Sequence, residues 1–203
     1  YILGVYDLYE RLTSEFPKIL FESCASGGGR FDPGMLYYMP QTWCSDNTDA
    51  IERLRIQYGT SFGYPMSSVS AHVSVCPNHQ NHRVTPFKTR GICAMQGTFG
   101  YELDLSKMTD EEKKMAGEQI AFFKEHGRLF QFGDYYRLTS PFENRDYTVW
   151  EYAAQDGSEA CMSVVYTDMY ANAASEIVKW KGLDPKKVYQ MQLDGEDAGN
   201  FSG

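Results

Sequence analysis

The sequence predicts an α/β chain in two parts: half of an eight-unit βα barrel over residues 1–134, then an antiparallel β-domain over residues 135–203. Three observations carry this. Before residue 134, short apolar runs give way to polar loops and then helical patterns, repeatedly. After Tyr135 the helical signals stop, and β-branched or alternating stretches follow one another across turns such as Asp156-Gly157. With 42% hydrophobic and 23% charged residues, the chain can bury a core and is not a disordered one.

The elements follow in order. Ile2 to Glu15 reads as an amphipathic helix stopped ahead of Pro17. Ile19-Leu20-Phe21 predicts a short buried strand, opening through Glu22-Ser23-Cys24-Ala25 into Gly27-Gly28-Gly29. Thr42-Trp43-Cys44 is a second strand, and Ser45-Asp46-Asn47-Thr48-Asp49 offers N-caps for a helix from Ala50 through Tyr58 that Gly59 ends. Ala71 to Val75 is a third strand, opening into the loop Pro77 to Pro86. Phe99 to Leu105 is the fourth. The capping-box pattern Thr109-Asp110-Glu111-Glu112 then starts a helix carrying Met115, Ile120, Phe123 and Phe130 and fading near Gly133. In the second part, strands are expected over residues 147–152, 160–166, 176–180 and 188–191.

Charge narrows the partners. Nineteen Lys and Arg against 27 Asp and Glu give a net charge of −8, without the basic footprint that nucleic acid or an anionic membrane surface requires. No stretch reaches the roughly 18 consecutive apolar residues of a membrane span. The five cysteines, Cys24, Cys44, Cys76, Cys93 and Cys161, are odd in number, widely spaced and without a CxxC pair, so reduced thiols and a cytoplasmic location are expected. A chain opening at Tyr1 inside a helical pattern, and closing on the turn-like Phe201-Ser202-Gly203, is expected to be a piece of a longer protein.

Three groups of residues could carry chemistry. Ser26-Gly27-Gly28-Gly29-Arg30 could cradle an anion on backbone N–H groups, or form a tight turn where backbone comes close to another group; it lacks the Lys-Ser/Thr of a P-loop. His72, Cys76, His79 and His82 have spacings that metal ligands sometimes use, but their polar loop suits a structural or substrate-side role, and no metal is expected. Carboxylates are the third group. Glu22 and Asp32 flank the glycines, and Asp46 and Asp49 follow the second strand. Asp46, beside Trp43 at the C-terminal end of a barrel strand, lies on the catalytic face, where apolar neighbours would suit a general acid. It could equally be the N-cap of the next helix, with Asp49 in the first turn.

Longer strings of residues also match a known pattern. Glu22 to Asp32 with Gly34-Met35-Leu36-Tyr37-Tyr38, then Trp43 to Ala50, Ile56 to Ser61, Ala71-His72-Val73-Ser74, Pro77-Asn78-His79-Gln80 and Phe99 to Asp104 resemble glycoside hydrolase family 36, the bacterial and fungal α-galactosidases. The resemblance implies a (β/α)8 TIM barrel followed by an antiparallel β-sandwich. These residues would supply barrel strands five to eight and most of an incomplete C-terminal domain. It implies a retaining mechanism on two aspartates, with Asp46 as acid/base, and galactose contacts from Cys24 and Gly27; Trp43 joins them as an expected substrate-binding residue. The implied substrates are α-galactoside oligosaccharides of the raffinose or melibiose type, with no cofactor, in a parent that is a homo-oligomer (tetramer or dimer). Related α-N-acetylgalactosaminidase or galactosyl transferase chemistry, or a noncatalytic carbohydrate-binding module, are the alternatives. The family's nucleophile lies in a Lys-x-Asp motif at the end of barrel strand four, and these 203 residues contain none. Retention needs two carboxylates about 5–5.5 Å apart. The isolated chain is therefore expected to show no turnover of an aryl α-galactoside, and measurable hydrolysis by it alone would overturn that.

Overall fold

Four short parallel strands, paired in chain order, organise the first part of the computed structural model, which describes residues 1–203. β1 (Glu22–Ser23) pairs with β2 (Gln41–Thr42); a single bridge from Thr42 to Val69 carries the array to β3 (Ser70–Ser74), and β3 pairs along its length with β4 (Thr98–Glu102). Helix α1 (Ile2–Glu15) precedes β1. Helices α2 (Pro33–Tyr38), α3 (Ala50–Thr60) and α4 (Phe87–Ala94) fill the three connections, and α5 (Asp110–Glu125) follows β4. Sequential parallel neighbours with a helix in every crossover make the wall of a partial βα barrel. The chain divides into two compact units, Tyr1–Phe123 and Lys124–Gly203.

Alternation along β3 sorts its side chains. Ala71 and Val73 enter a core with Phe87 and Ala94 of α4 and with Met108, and their register partners Phe99 and Tyr101 pack on the same cluster. Ser70, His72 and Ser74 take the opposite face. Helix α4 was not marked by the sequence because Gly91, Thr89 and Ile92 are weak helix formers. At Gly91 the amide of Gln119 from α5 fills the space a Cβ would occupy, and that same amide accepts the Tyr101 hydroxyl at 2.7 Å.

Caps match their residues. Thr109 and Glu112 form the reciprocal box at the start of α5, Glu112 N–H to Thr109 Oγ1 at 3.1 Å and Thr109 N–H to Glu112 Oε2 at 3.0 Å. That helix does not run on to Gly133. It stops at Glu125, and after His126 (φ −96°, ψ 17°) a separate α6 (Gly127–Phe132) begins. The first strand also differs from expectation. It forms at Glu22–Ser23 rather than Ile19–Phe21, and Leu20 is 88% exposed. Its position is set by polar pairing, not by apolar content: Glu22 accepts from Gln41 Nε2 at 2.8 Å and from Ser70 Oγ at 3.2 Å.

The second unit holds α6 and an antiparallel sheet of β5 (Asp134–Thr139), β6 (Tyr147–Ala153) and β7 (Ala160–Tyr166), with β6 central and buried almost throughout. Phe130 of α6 meets Tyr152 edge to face at 5.4 Å. A hairpin of β8 (Val188–Leu193) and β9 (Glu196–Ser202) turns on Asp194-Gly195, both at positive φ, as a two-residue hairpin loop prefers. The strand expected over residues 176–180 is absent. That segment is mostly exposed, and the next N–H, Lys181, donates to both carboxylate oxygens of Glu151, at 3.2 and 3.0 Å, instead of joining a ladder.

Glu151 is fully buried on β6, and burial pushes its carboxyl up to about 7, against the opposing pull of the Lys181 N–H. Unfolding returns it to the ordinary value of 4.5, so the unfolded chain releases a proton that the folded chain keeps between those limits. Relative to Glu151→Gln, the native protein is expected to lose stability as pH rises from 4.5 towards 7. Denaturant titrations of both proteins at stepped pH measure this, and parallel curves would refute it.

Candidate active site

The loops that leave the C-terminal ends of β1, β2 and β3 come together, and glycine makes the closest approach feasible. After β1 the chain turns through Ala25–Gly28, with Ala25 N–H to Gly27 O at 3.1 Å and Gly27 at φ +70°. A Cβ on Gly27 would lie 2.8 Å from the Asp46 nitrogen and 2.8 Å from Ser45 Cα; one on Gly28 would lie 2.6 Å from the Cys44 carbonyl oxygen. Of the two uses open to this loop, the glycines here serve backbone-to-backbone contact with the β2 loop. Cys24 is exposed beside it, and its carbonyl accepts from Arg30 Nη2 at 3.2 Å.

The four candidate carboxylates separate clearly. Glu22 is held by Gln41 and Ser70. Asp32 caps α2 through the Met35 N–H at 2.9 Å and accepts the Tyr6 hydroxyl at 2.8 Å; these bonds, the backbone one foremost, hold its carboxyl below the usual range. Asp49, with its side chain 1% exposed, caps α3 through the Glu52 N–H at 2.8 Å and pairs with Arg83 at 3.0 Å. That leaves the cap of α3 to Asp49 and not to Asp46. Asp46 is exposed, engaged through its backbone alone, and its carboxylate has no partner in the chain. The apolar surround expected around it is not supplied by these residues.

Trp43, at the end of β2, is 8% exposed. The His72 ring stacks on it at 4.8 Å and 19°, and the Arg53 guanidinium stands 4.5 Å from its centroid. Little of the indole is left to meet a sugar, so contact there would be through an edge. Arg53 is itself buried and donates to Ser45 O at 3.1 Å, Ser70 O at 2.5 Å and Gln57 Oε1 at 3.0 Å. Burial lowers its pKa, and neighbouring Cys44 acts in the opposite sense. His72 Nδ1 lies 3.0 Å from Glu102 Oε2, across from the neighbouring strand.

The histidine and cysteine group does not converge. His72 is committed to Trp43 and Glu102, Cys76 Sγ to the Thr85 carbonyl at 3.6 Å, and His79 and His82 are exposed. No three His, Cys, Asp or Glu side chains are grouped as metal ligands would be. Sequence reasoning passed over Arg53. The available signal was its spacing, four residues after Asp49 and four before Gln57, which places all three on one side of α3.

A family model described as Melibiase matches residues 1–133, and the glycosyl hydrolase family 36 C-terminal domain matches residues 147–203. Alpha-galactosidase AgaA of Geobacillus stearothermophilus is 55% identical over 192 residues, which is 95% of this chain and 26% of that protein. A crystal structure of an AgaA variant with an alanine-to-glutamate and an aspartate-to-asparagine change, in complex with raffinose, superposes with a TM-score of 0.94 at 52% identity, covering 100% of this chain and 27% of that one. Another AgaA variant, in complex with stachyose, gives 0.94 at 53% identity over 99% and 27%.

Gly27→Ala forces a Cβ into the Ser45–Asp46 backbone at a left-handed φ, and is expected to destabilise the first unit by about 2 kcal/mol. Gly59→Ala, whose Cβ would meet nothing within 4 Å inside α3, is expected to stabilise it by about 0.5–1 kcal/mol. Denaturant unfolding of the two variants checks the opposite signs.

Proposed function

The chain belongs to glycoside hydrolase family 36, and from that premise we propose that it supplies the acid/base side of a retaining α-galactosidase acting on raffinose- or melibiose-type oligosaccharides. One observation carries the reading: of the carboxylates at the strand ends, Asp46 alone is unpartnered, on a backbone pressed against the glycine loop. An acid must be placed by its backbone yet keep its carboxyl available to substrate.

In the proposed reaction, Asp46 gives its proton to the glycosidic oxygen as the bond to the anomeric carbon breaks. A nucleophilic carboxylate outside these 203 residues takes the sugar. Asp46, now a carboxylate, then removes a proton from the water that releases galactose. Gly27 of the glycine loop lies against the Asp46 backbone, and this loop with the exposed Cys24 that precedes it is proposed to line the galactose side, with Trp43 backing the pocket through its stack with His72. The AgaA complexes with raffinose and stachyose support oligosaccharides as the substrate class.

The test is Asp46→Asn in the full-length enzyme. Its melting temperature is expected to stay unchanged, because the side chain is exposed and unpartnered. Its kcat/KM on raffinose is expected to fall by about 10²–10⁴. An aryl galactoside with a good leaving group needs little acid help and should lose far less. Equal losses on both substrates would remove the acid assignment.

A further inference from the structure

The loop after β3 is built around a buried side chain. Asn78 is 5% exposed, and its N–H donates to Arg83 O at 2.9 Å while His82 N–H donates to Asn78 O at 2.8 Å, which closes the loop. Its Oδ1 accepts from the N–H groups of Gln80 (2.9 Å) and Asn81 (3.2 Å), and its Nδ2 donates to Thr48 Oγ1 at 3.0 Å. Arg83 then bolts the loop to the buried Asp49. Gln80, at the tip of this frame, reaches across to the β2 loop. Its Oε1 accepts from Thr48 N–H at 2.9 Å and Thr48 Oγ1 at 3.2 Å, and its Nε2 donates to the Asp46 carbonyl at 3.0 Å.

The orientation of that amide follows from its partners, since a backbone N–H can only donate and a carbonyl can only accept. Gln80 thus grips the peptides on both sides of Asn47. Gly27 meets the nitrogen of the same Asp46 from the other loop. The backbone of Asp46 is packed against Gly27 on its nitrogen side and hydrogen-bonded at its carbonyl, while nothing in the chain holds its carboxylate. We infer that Gln80 is a positioning residue for Asp46, a clamp lent by the β3 loop that aims the acid without touching it; this rests on the acid/base role of Asp46 proposed above.

Only an amide of this length serves both directions. Gln80→Glu keeps the acceptor for Thr48 but sets an oxygen against the Asp46 carbonyl, and Gln80→Ala removes both bonds. Each bond to an exposed side chain is worth only about 1 kcal/mol in stability, so both variants are expected to fold, with Tm within about 4 °C of the native enzyme. The experiment measures kcat/KM of both variants, in the full-length enzyme, on raffinose and on an activated aryl galactoside, together with hydrogen exchange at the Thr48 amide. Raffinose kcat/KM is expected to fall at least about tenfold in both, with the aryl substrate within about threefold, because a misplaced acid matters only where the leaving group needs it. Thr48 should exchange about tenfold faster in Gln80→Ala and near the native rate in Gln80→Glu, which retains its acceptor. Unchanged raffinose turnover, or equal losses on the two substrates, would overturn the inference. The two readings fail separately. Equal losses in Asp46→Asn remove the acid itself, whereas a substrate split in Asp46→Asn without one in the Gln80 variants removes only the clamp.

Discussion

A buried guanidinium is costly unless its N–H directions find acceptors, and Arg53 finds them on three separate stretches of chain. Its partners are the carbonyl after β2, the first carbonyl of β3 and a glutamine one turn further along its own helix. This matters because β2 and β3 share a single backbone bridge, Thr42 to Val69. Across that thin seam Arg53 adds a polar tie to the Trp43–His72 stack, and its acceptors are neutral, so the geometry is enforced by direction and not by ion pairing. Gln57 extends the tie, donating to Cys93 O at 3.0 Å and Gln96 Oε1 at 2.6 Å, so α3 is joined to α4 by the same run of polar groups. Burial of this region also pushes the Cys93 thiol up to about 12, which keeps it a neutral packing residue.

Around that tie the site is assembled from backbone more than from side chains. The glycine loop contributes absence of side chains: Gly27 and Gly28 admit the Cys44–Asp46 backbone at distances a Cβ forbids. The β3 loop contributes amides, from Asn78 and Gln80. Asp49 and Asp46, three residues apart, divide two tasks that either could have taken by type. One is buried, capped onto α3 and paired with Arg83; the other is left exposed.

How legible this was depends on whether a signal is local. The Thr109–Glu112 box, the ends of α1 and the Asp156-Gly157 turn between β6 and β7 are decided by residues a few positions apart, and the sequence declares such features well. The rest depends on distant partners. Ile19-Leu20-Phe21 has the apolar content of a strand, yet the strand forms next to it because Gln41 and Ser70 meet Glu22. Gly91 looks like a helix breaker until Gln119 is seen against it. The 176–180 run alternates like a strand, but the N–H that follows it goes to a buried carboxylate. At the site, the pattern around Asp46 was visible because the motif is contiguous. Gln80 was not, since it lies 34 residues from Asp46 in an Asn-rich stretch that reads only as loop. The choice between cap and acid could not be made from residue types alone, because any Asp there can cap.

The frame of Asp46 has one further property: from Glu22 through the glycine loop, Arg53 and Gln80 to Arg83, every group that holds it belongs to one uninterrupted run of chain. Its longest closure, Glu22 to Ser70, spans 48 residues, and because loop-closure entropy grows only slowly with length, assembling the frame calls on no residue beyond Arg83. It is also portable. A recombination event that carried this stretch as one block would transfer Asp46 together with the groups that hold its backbone.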